Sequence, residues 1–195
     1  MPASQTEVML KVIEAIEGLG SPYLVGGSYA SSAHGIARAT MDIDILAAIP
    51  GKLAGALAAR LQPEFYADEL AIEQAIAAKR SFNVIHLETM FKVDVFVSRR
   101  DAFDIKQLER RRLEIVSRDP ERSAYVASPE DIILSKLRWY RQTNEKSERQ
   151  WSDVLGVMSV QADKLDLEYL EHWATELGVS DLFERALGQS RGEHD

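Results

Sequence analysis

The sequence predicts an α+β protein in two parts, a mixed α/β lobe over residues 1–127 and a small helical lobe over residues 128–195. Short apolar segments alternate with helical ones up to about residue 127. The run Ser128-Pro129-Glu130-Asp131 then supplies an N-cap hydroxyl, a first-turn proline and two acids facing the helix dipole. We therefore expect a helix to begin there, and the rest of the chain to be helical.

The elements of the first lobe follow from apolar periodicity and from the turn residues between periodic segments. Helical spacing and a high content of Ala, Leu and Glu predict helices over about residues 4–18, 51–61, 68–79 and 102–110. Period-two alternation and β-branched residues predict strands at Tyr23–Val25, Met41–Ala47, Phe82–Leu87, Phe91–Val97, Leu113–Val116 and Ala124–Ala127. These segments are enough for one sheet with helices around it.

The composition limits the kinds of function that the chain can have. A hydrophobic fraction of 46% and a charged fraction of 28% are those of an ordinary globular protein. The absence of cysteine excludes disulfides, thiolate zinc sites and thiol catalysis, and it fits a reducing cytoplasm. The first 17 residues have no uninterrupted apolar stretch, so we expect neither a signal peptide nor a membrane span, and a cytoplasmic protein.

The net charge of −8 argues against nucleic-acid binding that ignores sequence, because such binding needs a clustered excess of Lys and Arg. The charge is uneven, however. Residues 99–149 contain 13 of the 23 basic residues and 10 acidic ones, a local balance of +3. A solvated face of ion pairs and a surface that contacts phosphate both explain this excess.

The most informative segment is the predicted strand that carries Asp42 and Asp44. Ile43 and Ile45 would face one side of the sheet and the two aspartates the other. Their Cα atoms would be roughly 6.5 Å apart, close enough for both carboxylates to reach one or two hard cations. Two like charges side by side are unfavourable unless a cation neutralises them, and Mg²⁺ prefers carboxylate and phosphate oxygens. An exposed acidic strand face is the alternative explanation.

A turn of small residues lies one predicted helix before the acidic strand. Gly26, Gly27 and Ser28 follow the first strand and lead into what is predicted to be a helix N-terminus. Small side chains let backbone N–H groups approach a phosphate, and a helix N-terminus favours an anion. Taken alone these residues are an ordinary turn, so their position before the acidic strand is what indicates a triphosphate site.

A third carboxylate, Asp94, lies within the apolar strand Phe91–Val97. A lone charge is unfavourable there unless its side of the strand is open to solvent or bound to a metal. In a two-metal mechanism Asp42 and Asp44 would hold the ion on the leaving pyrophosphate and help to hold the second ion. Asp94 would hold the ion that activates the attacking hydroxyl, or act as the general base. The alternative is a charge that simply faces solvent.

These three motifs, Gly26-Gly27-Ser28, Asp42-Ile43-Asp44 and Val93-Asp94-Val95, together resemble the signature of the nucleotidyltransferase superfamily, which has the DNA polymerase beta-like fold. The resemblance covers about residues 23–97 and is more specific for the fold than for the substrate. It implies a mixed sheet flanked by helices and followed by a small C-terminal helical lobe. It also implies Mg²⁺, or Mn²⁺ in its place, as the cofactor and a nucleoside triphosphate as the substrate.

Two further segments resemble the AbiEii-like branch of nucleotidyltransferases and toxins, namely Arg38-Ala39-Thr40-Met41 and residues 128–137. In that branch a lysine on the first helix of the second lobe and an aspartate on the next helix help to bind the nucleotide. Lys136 and Asp153 are the matching positions, although a solvated lysine and a helix-surface aspartate explain them equally well. Arg38 either reaches a phosphate or pairs with Asp42 or Asp44.

The residues and the resemblance together predict an EC 2.7.7-like transferase that moves a nucleoside monophosphate from a triphosphate to an acceptor and releases pyrophosphate. RNA such as tRNA, a protein hydroxyl and a small molecule such as an aminoglycoside all remain open as acceptors. The main alternative is a catalytically silent binding module, for example a partner in a toxin–antitoxin pair. A phosphohydrolase that uses the acidic strand as its metal site is a third hypothesis.

Overall fold

The structure is a computed structural model that describes residues 3–37 and 42–192. The described chain divides into two compact units. The sheet unit contains residues 3–26 and 42–127, and the helical unit contains residues 27–37 and 128–192.

Helices and strands alternate through the first unit, and helices alone follow. The helices are α1 (Gln5–Glu17), α2 (Gly27–His34), α3 (Ala54–Leu61), α4 (Glu69–Ala78), α5 (Ala102–Arg110), α6 (Pro129–Gln142), α7 (Glu148–Gln161), α8 (Leu167–Glu176) and α9 (Ser180–Ser190). The strands are β1 (Tyr23–Val25), β2 (Ile43–Ala47), β3 (Phe65–Tyr66), β4 (Ser81–His86), β5 (Lys92–Val97), β6 (Arg112–Arg118) and β7 (Glu121–Val126). Short 3₁₀ turns lie at Gly51–Leu53 and Ala162–Lys164. Across the described ranges, no helix combines the length and the apolar character that crossing a membrane requires.

The strands form one sheet in the order β3-β4-β5-β2-β1-β7-β6. Strand β2 is parallel to β5 and β1 is parallel to β7, whereas the other neighbouring strands are antiparallel. The predicted mixed sheet flanked by helices is therefore confirmed. Strand β3 was not predicted, because a two-residue strand is too short to show any alternation, and the β6–β7 hairpin is longer than predicted.

The sheet unit is held together by the apolar side of its central strands and by the helices that cover it. Ile43, Ile45, Val93 and Val95 alternate with polar residues and are fully buried. Helix α1 begins with a capping box, in which the Ser4 hydroxyl and the Glu7 carboxylate satisfy each other's backbone N–H groups. The predicted first helix is confirmed at residues 5–17.

The helical unit is organised around a buried polar contact at the start of α6. The hydroxyl of Ser128 accepts from the backbone N–H of Asp131 at 3.2 Å and donates to its carboxylate at 2.8 Å. The hydroxyl of Tyr169, in α8, donates to the same carboxylate at 2.7 Å. Because Asp131 is fully buried, these bonds offset the loss of its hydration and tie α6 to α8. The predicted N-terminus of α6 is confirmed.

Helix α2 groups with the helical unit, whereas the predicted division into residues 1–127 and 128–195 places it with the sheet. The physical reason is a close approach of backbones between the end of α2 and α7. A Cβ atom built on Gly35 would lie 2.8 Å from the backbone nitrogen of Val157 and 3.0 Å from the carbonyl carbon of Gly156. Glycine at position 35 therefore lets α2 lie against α7.

We predict that Gly35→Ala lowers the free energy of unfolding by about 1–3 kcal/mol, because its methyl group would overlap backbone atoms that cannot move aside. Gly156→Ala is the matched control, since its Cβ would be 3.5 Å from Ile36 and its helix propensity would improve. Urea denaturation followed by circular dichroism measures both. Equal effects of the two substitutions would contradict the close approach.

Candidate active site

The parallel pairing of β2 with β5 brings two of the predicted carboxylates side by side. The register pairs Ile43 with Val93 and Asp44 with Asp94. Neighbouring strands are about 4.8 Å apart, and paired residues in a parallel ladder project from the same side of the sheet. Both aspartates are partly exposed, while the residues next to them in each strand are fully buried. The carboxylates therefore share the side of the sheet opposite its apolar core.

Asp42 lies immediately before β2, two residues from Asp44. Lys92, the first residue of β5, carries an ammonium group that is affected by Asp42 as well as by the other two acids. The Lys92 ammonium forms an ion pair with the Asp94 carboxylate at 2.8 Å between Nζ and Oδ2. That hydrogen bond raises the pKa of Lys92, burial opposes the rise, and the charges of Asp94, Asp42 and Asp44 add to it. All three carboxylates therefore act on one ammonium group.

A side chain from a third strand lies next to the paired residues Asp44 and Asp94. Strand β4 runs antiparallel to β5, and its Asn83 pairs directly with Asp94. Asn83 is exposed, and its amide oxygen is a type of ligand that hard cations accept. Sequence reasoning missed Asn83, although alternation in β4 already distinguishes it from buried Phe82 and Val84.

The donor chemistry of this cluster fits a hard divalent cation, because carboxylate oxygens from Asp42, Asp44 and Asp94 are the ligands that Mg²⁺ and Mn²⁺ take. Over residues 3–37 and 42–192, however, no three His, Asp or Glu side chains are already gathered in the arrangement that holds a metal ion. One of these carboxylates, that of Asp94, is instead paired with the ammonium of Lys92 at 2.8 Å. The chemistry of the ligands fits, and binding a metal requires the side chains to rearrange.

The turn after β1 is attached to the acidic strand through its backbone. The N–H of Gly26 donates to the carbonyl oxygen of Asp44 at 2.8 Å, so it continues the sheet rather than pointing to a ligand. A Cβ on Gly26 would make only ordinary contacts. Gly27 differs, because its φ of 55° lies in the left-handed region that side chains disfavour. Of the two predicted glycines, Gly27 is thus the one whose conformation demands glycine.

In the helical unit, the start of α2 has a basic neighbour that sequence reasoning missed. The guanidinium of Arg149 donates to the hydroxyl of Ser28 at 3.1 Å. Arg149 is exposed and is the second residue of α7, where a cation is disfavoured by the helix dipole. A positive side chain at the N-termini of two helices creates a site favourable to an anion. No local pattern predicts this contact, because 121 residues separate the partners.

The other two predicted residues of the second lobe contact each other. The Lys136 ammonium, on α6, lies 2.8 Å from the Asp153 carboxylate and 3.0 Å from the side-chain oxygen of Gln150, both on α7. The side chains of Lys136 and Asp153 are only 5% and 8% exposed. Their ion pair therefore links α6 to α7, and neither residue is a solvated surface charge. Arg38, the remaining predicted site residue, lies outside the described residues.

Comparison with known proteins shows which fold this is. No family model matches the chain, and no curated protein sequence matches it significantly. The solution structure of ANT(2″)-Ia, described as an antibiotic-resistance factor, matches with a TM-score of 0.56 and 14% identity over 100% of both chains. The crystal structure of ANT(2″)-Ia in complex with adenylyl-2″-tobramycin matches with a TM-score of 0.54 and 14% identity, over 90% of this chain and 97% of the other.

A third similar structure is an antigenic nucleotidyltransferase-like protein from Paracoccidioides brasiliensis. It has a TM-score of 0.53 and 16% identity, and the match covers 92% of this chain and 94% of that one. At such low identity these likenesses establish the architecture and leave the reaction to be argued from the residues. The chain has the nucleotidyltransferase fold, as the sequence motifs predict.

We predict that Lys136→Met lowers the free energy of unfolding by about 3–5 kcal/mol, because it leaves the Asp153 carboxylate buried without its cation. Lys106→Met is the matched control. Lys106 pairs with Glu109 at 3.0 Å on the surface, and losing such a pair changes stability by less than about 1 kcal/mol. Chemical denaturation of both variants checks this. A Lys136 variant as stable as the Lys106 variant would show that the buried pair is unimportant for folding.

Proposed function

We propose that this chain is a Mg²⁺-dependent nucleotidyltransferase that moves a nucleoside monophosphate from a nucleoside triphosphate to a hydroxyl of an acceptor. The observation that carries the proposal is the pairing of Asp44 with Asp94 on neighbouring parallel strands, with Asp42 two residues before Asp44. Three carboxylates in this arrangement are unfavourable without positive charge and have the ligand chemistry of a magnesium site. Mn²⁺ would fit the same oxygens.

The proposed reaction is an in-line displacement at the α-phosphorus of the triphosphate. The acceptor oxygen bonds to this phosphorus while the bond from the phosphorus to the bridging oxygen breaks, and pyrophosphate leaves with that electron pair. The Asp94 carboxylate takes the proton of the acceptor hydroxyl as general base. Asp42, Asp44 and Asp94 would hold the divalent ions, which supply charge stabilisation for the attacking and leaving oxygens.

The residues proposed to bind the triphosphate come from the start of α2 and from α7. Gly27 and Ser28 offer backbone N–H groups at a helix N-terminus, and Arg149 adds a guanidinium that touches the Ser28 hydroxyl. Lys136 and Asp153 belong to the proposal through the AbiEii-like resemblance, and their ion pair would position α7. Arg38 completes the proposed set, whereas Gly26, which the sequence also predicts, donates its N–H to Asp44 and would act only by positioning the turn.

Several classes of acceptor are compatible with the proposed reaction, and experiment must choose among them. An adenylylated tobramycin is bound in one of the similar structures, which makes aminoglycosides a natural first test. The AbiEii-like resemblance instead suggests RNA such as tRNA, and an antitoxin partner. Both acceptors offer hydroxyl groups, so the same carboxylates would serve either reaction.

We predict that the purified protein transfers label from an α-labelled nucleoside triphosphate to an acceptor in the presence of Mg²⁺. Asp44→Asn should reduce the rate at least about 100-fold, which corresponds to roughly 2.7 kcal/mol of transition-state stabilisation. Asp163→Asn is the control, since Asp163 is an exposed residue of the helical unit. The panel contains each triphosphate with total RNA, protein and aminoglycosides, and pyrophosphate release is measured in parallel.

Three other outcomes would each overturn the proposal. No transfer under any condition, with the Asp44 variant indistinguishable from the original chain, would favour a catalytically silent binding module. Release of inorganic phosphate in place of pyrophosphate would indicate a phosphohydrolase. Equal losses in the Asp44 and Asp163 variants would show that the acidic strand has no special role.

A further prediction concerns Arg149. Arg149→Met should weaken binding of a non-hydrolysable nucleoside triphosphate about 10- to 150-fold, because a hydrogen bond to a charged group contributes roughly 1.5–3 kcal/mol. Lys146→Met removes the same charge from an exposed position before α7 and should leave the affinity unchanged. Isothermal titration calorimetry compares the two. Similar affinities for both variants would remove Arg149 from the phosphate site.

A further inference from the structure

Strand β5 carries a cation among the carboxylates that the proposed function assigns to the metal. Lys92 is two residues from Asp94, so both side chains project from the same side of the strand. Ile43 and Val93 are the first paired residues of β2 and β5, and Asp42 and Lys92 directly precede them in the sequence. Lys92 thus brings a positive charge to the side of β5 on which Asp94 pairs with Asp44.

We propose that Lys92 is a built-in counter-ion for the three aspartates, which a divalent cation must displace from Asp94 and which thereby weakens metal binding in the absence of nucleotide. This inference rests on the proposed function, because it assumes that the same aspartates are the metal ligands. Lys92 is a positioning residue in this proposal, since it acts through Asp94 and not on the reacting atoms.

The charges of the cluster explain why a counter-ion is needed. Carboxylates held close together repel one another, and the ammonium of Lys92 offsets part of this repulsion. The Lys92 ammonium is 2.8 Å from the Asp94 carboxylate, and Asp94 pairs with Asp44 on the neighbouring strand, so its positive charge lies within the cluster. Lys92 should therefore stabilise the folded protein when no metal is bound.

The geometry of the ion pair explains why the ammonium and a metal ion compete. Nζ of Lys92 is 2.8 Å from Oδ2 of Asp94, and a divalent cation on the same carboxylate would repel the ammonium at short range. The lysine side chain is 44% exposed and flexible, so it can move into solvent when a metal binds. The Asp94 carboxylate would then turn from the ammonium to the metal.

The test measures Mn²⁺ binding without nucleotide, by calorimetry or by electron paramagnetic resonance of the free ion. Lys92→Met, which keeps most of the length of the side chain, should bind Mn²⁺ about tenfold more tightly than the original chain. Lys106→Met removes one charge elsewhere in the sheet unit and should bind as the original chain does. Lys92→Gln provides a second variant if the methionine variant folds poorly.

Thermal unfolding supplies an independent readout. In EDTA the Lys92 variants should unfold at a lower temperature than the original chain, and Mg²⁺ should raise their midpoints more than it raises that of the original chain. The Lys106 variant should show neither change. Equal metal affinity and equal midpoints in the Lys92 and Lys106 variants would overturn the proposed role of Lys92.

The two proposals fail in distinguishable ways. If the Lys92 variants bind Mn²⁺ no more tightly than the original chain, while Asp44→Asn abolishes both metal binding and nucleotidyl transfer, the role of Lys92 is wrong and the proposed function stands. If neither the original chain nor the Lys92 variants bind Mn²⁺, the metal site is wrong and both proposals fall.

Discussion

The parallel hydrogen bonding between β2 and β5 is the constraint on which the candidate site depends. A shift of one residue in this register would move Asp94 away from Asp44 and to the other side of the sheet relative to it. The register is held by burial, since Ile43 pairs with Val93 and both are fully buried. Apolar residues with no chemical role thus determine where the carboxylates meet.

The separate strands could be predicted from the sequence, but their pairing could not. Period-two alternation identifies β2 and β5 and places Asp42 and Asp44 on one side. It contains no information on which strands are neighbours, because 50 residues separate Asp44 from Asp94. The resemblance to nucleotidyltransferases is what suggested that the strands carrying Asp44 and Asp94 are neighbours. Neither strand alternation nor the family resemblance could predict the contact of Arg149 with Ser28. This contact follows from the packing of α7 beside α2.

Tertiary structure also determines which basic residues form buried ion pairs and which form exposed ones. Lys92 and Lys136 look alike in the sequence, yet Lys92 is part of the acidic cluster and Lys136 is buried against Asp153. A buried pair is costly to break because one partner keeps an uncompensated charge, whereas a half-exposed lysine can leave its partner for water. Lys136 is therefore suited to hold one permanent ion pair, whereas Lys92 is suited to exchange its carboxylate partner for water.

The two glycines after β1 meet different requirements, one for a hydrogen bond in the sheet and one for a left-handed backbone conformation. Gly26 ends the sheet unit, where its N–H is bonded to Asp44, and Gly27 begins α2 with a positive φ. At the other end of α2, Gly35 permits close packing on α7. The demand for glycine at position 27 thus comes from the backbone path into α2. It would hold even without a phosphate, so glycine at this position is by itself weaker evidence for nucleotide binding than the paired aspartates.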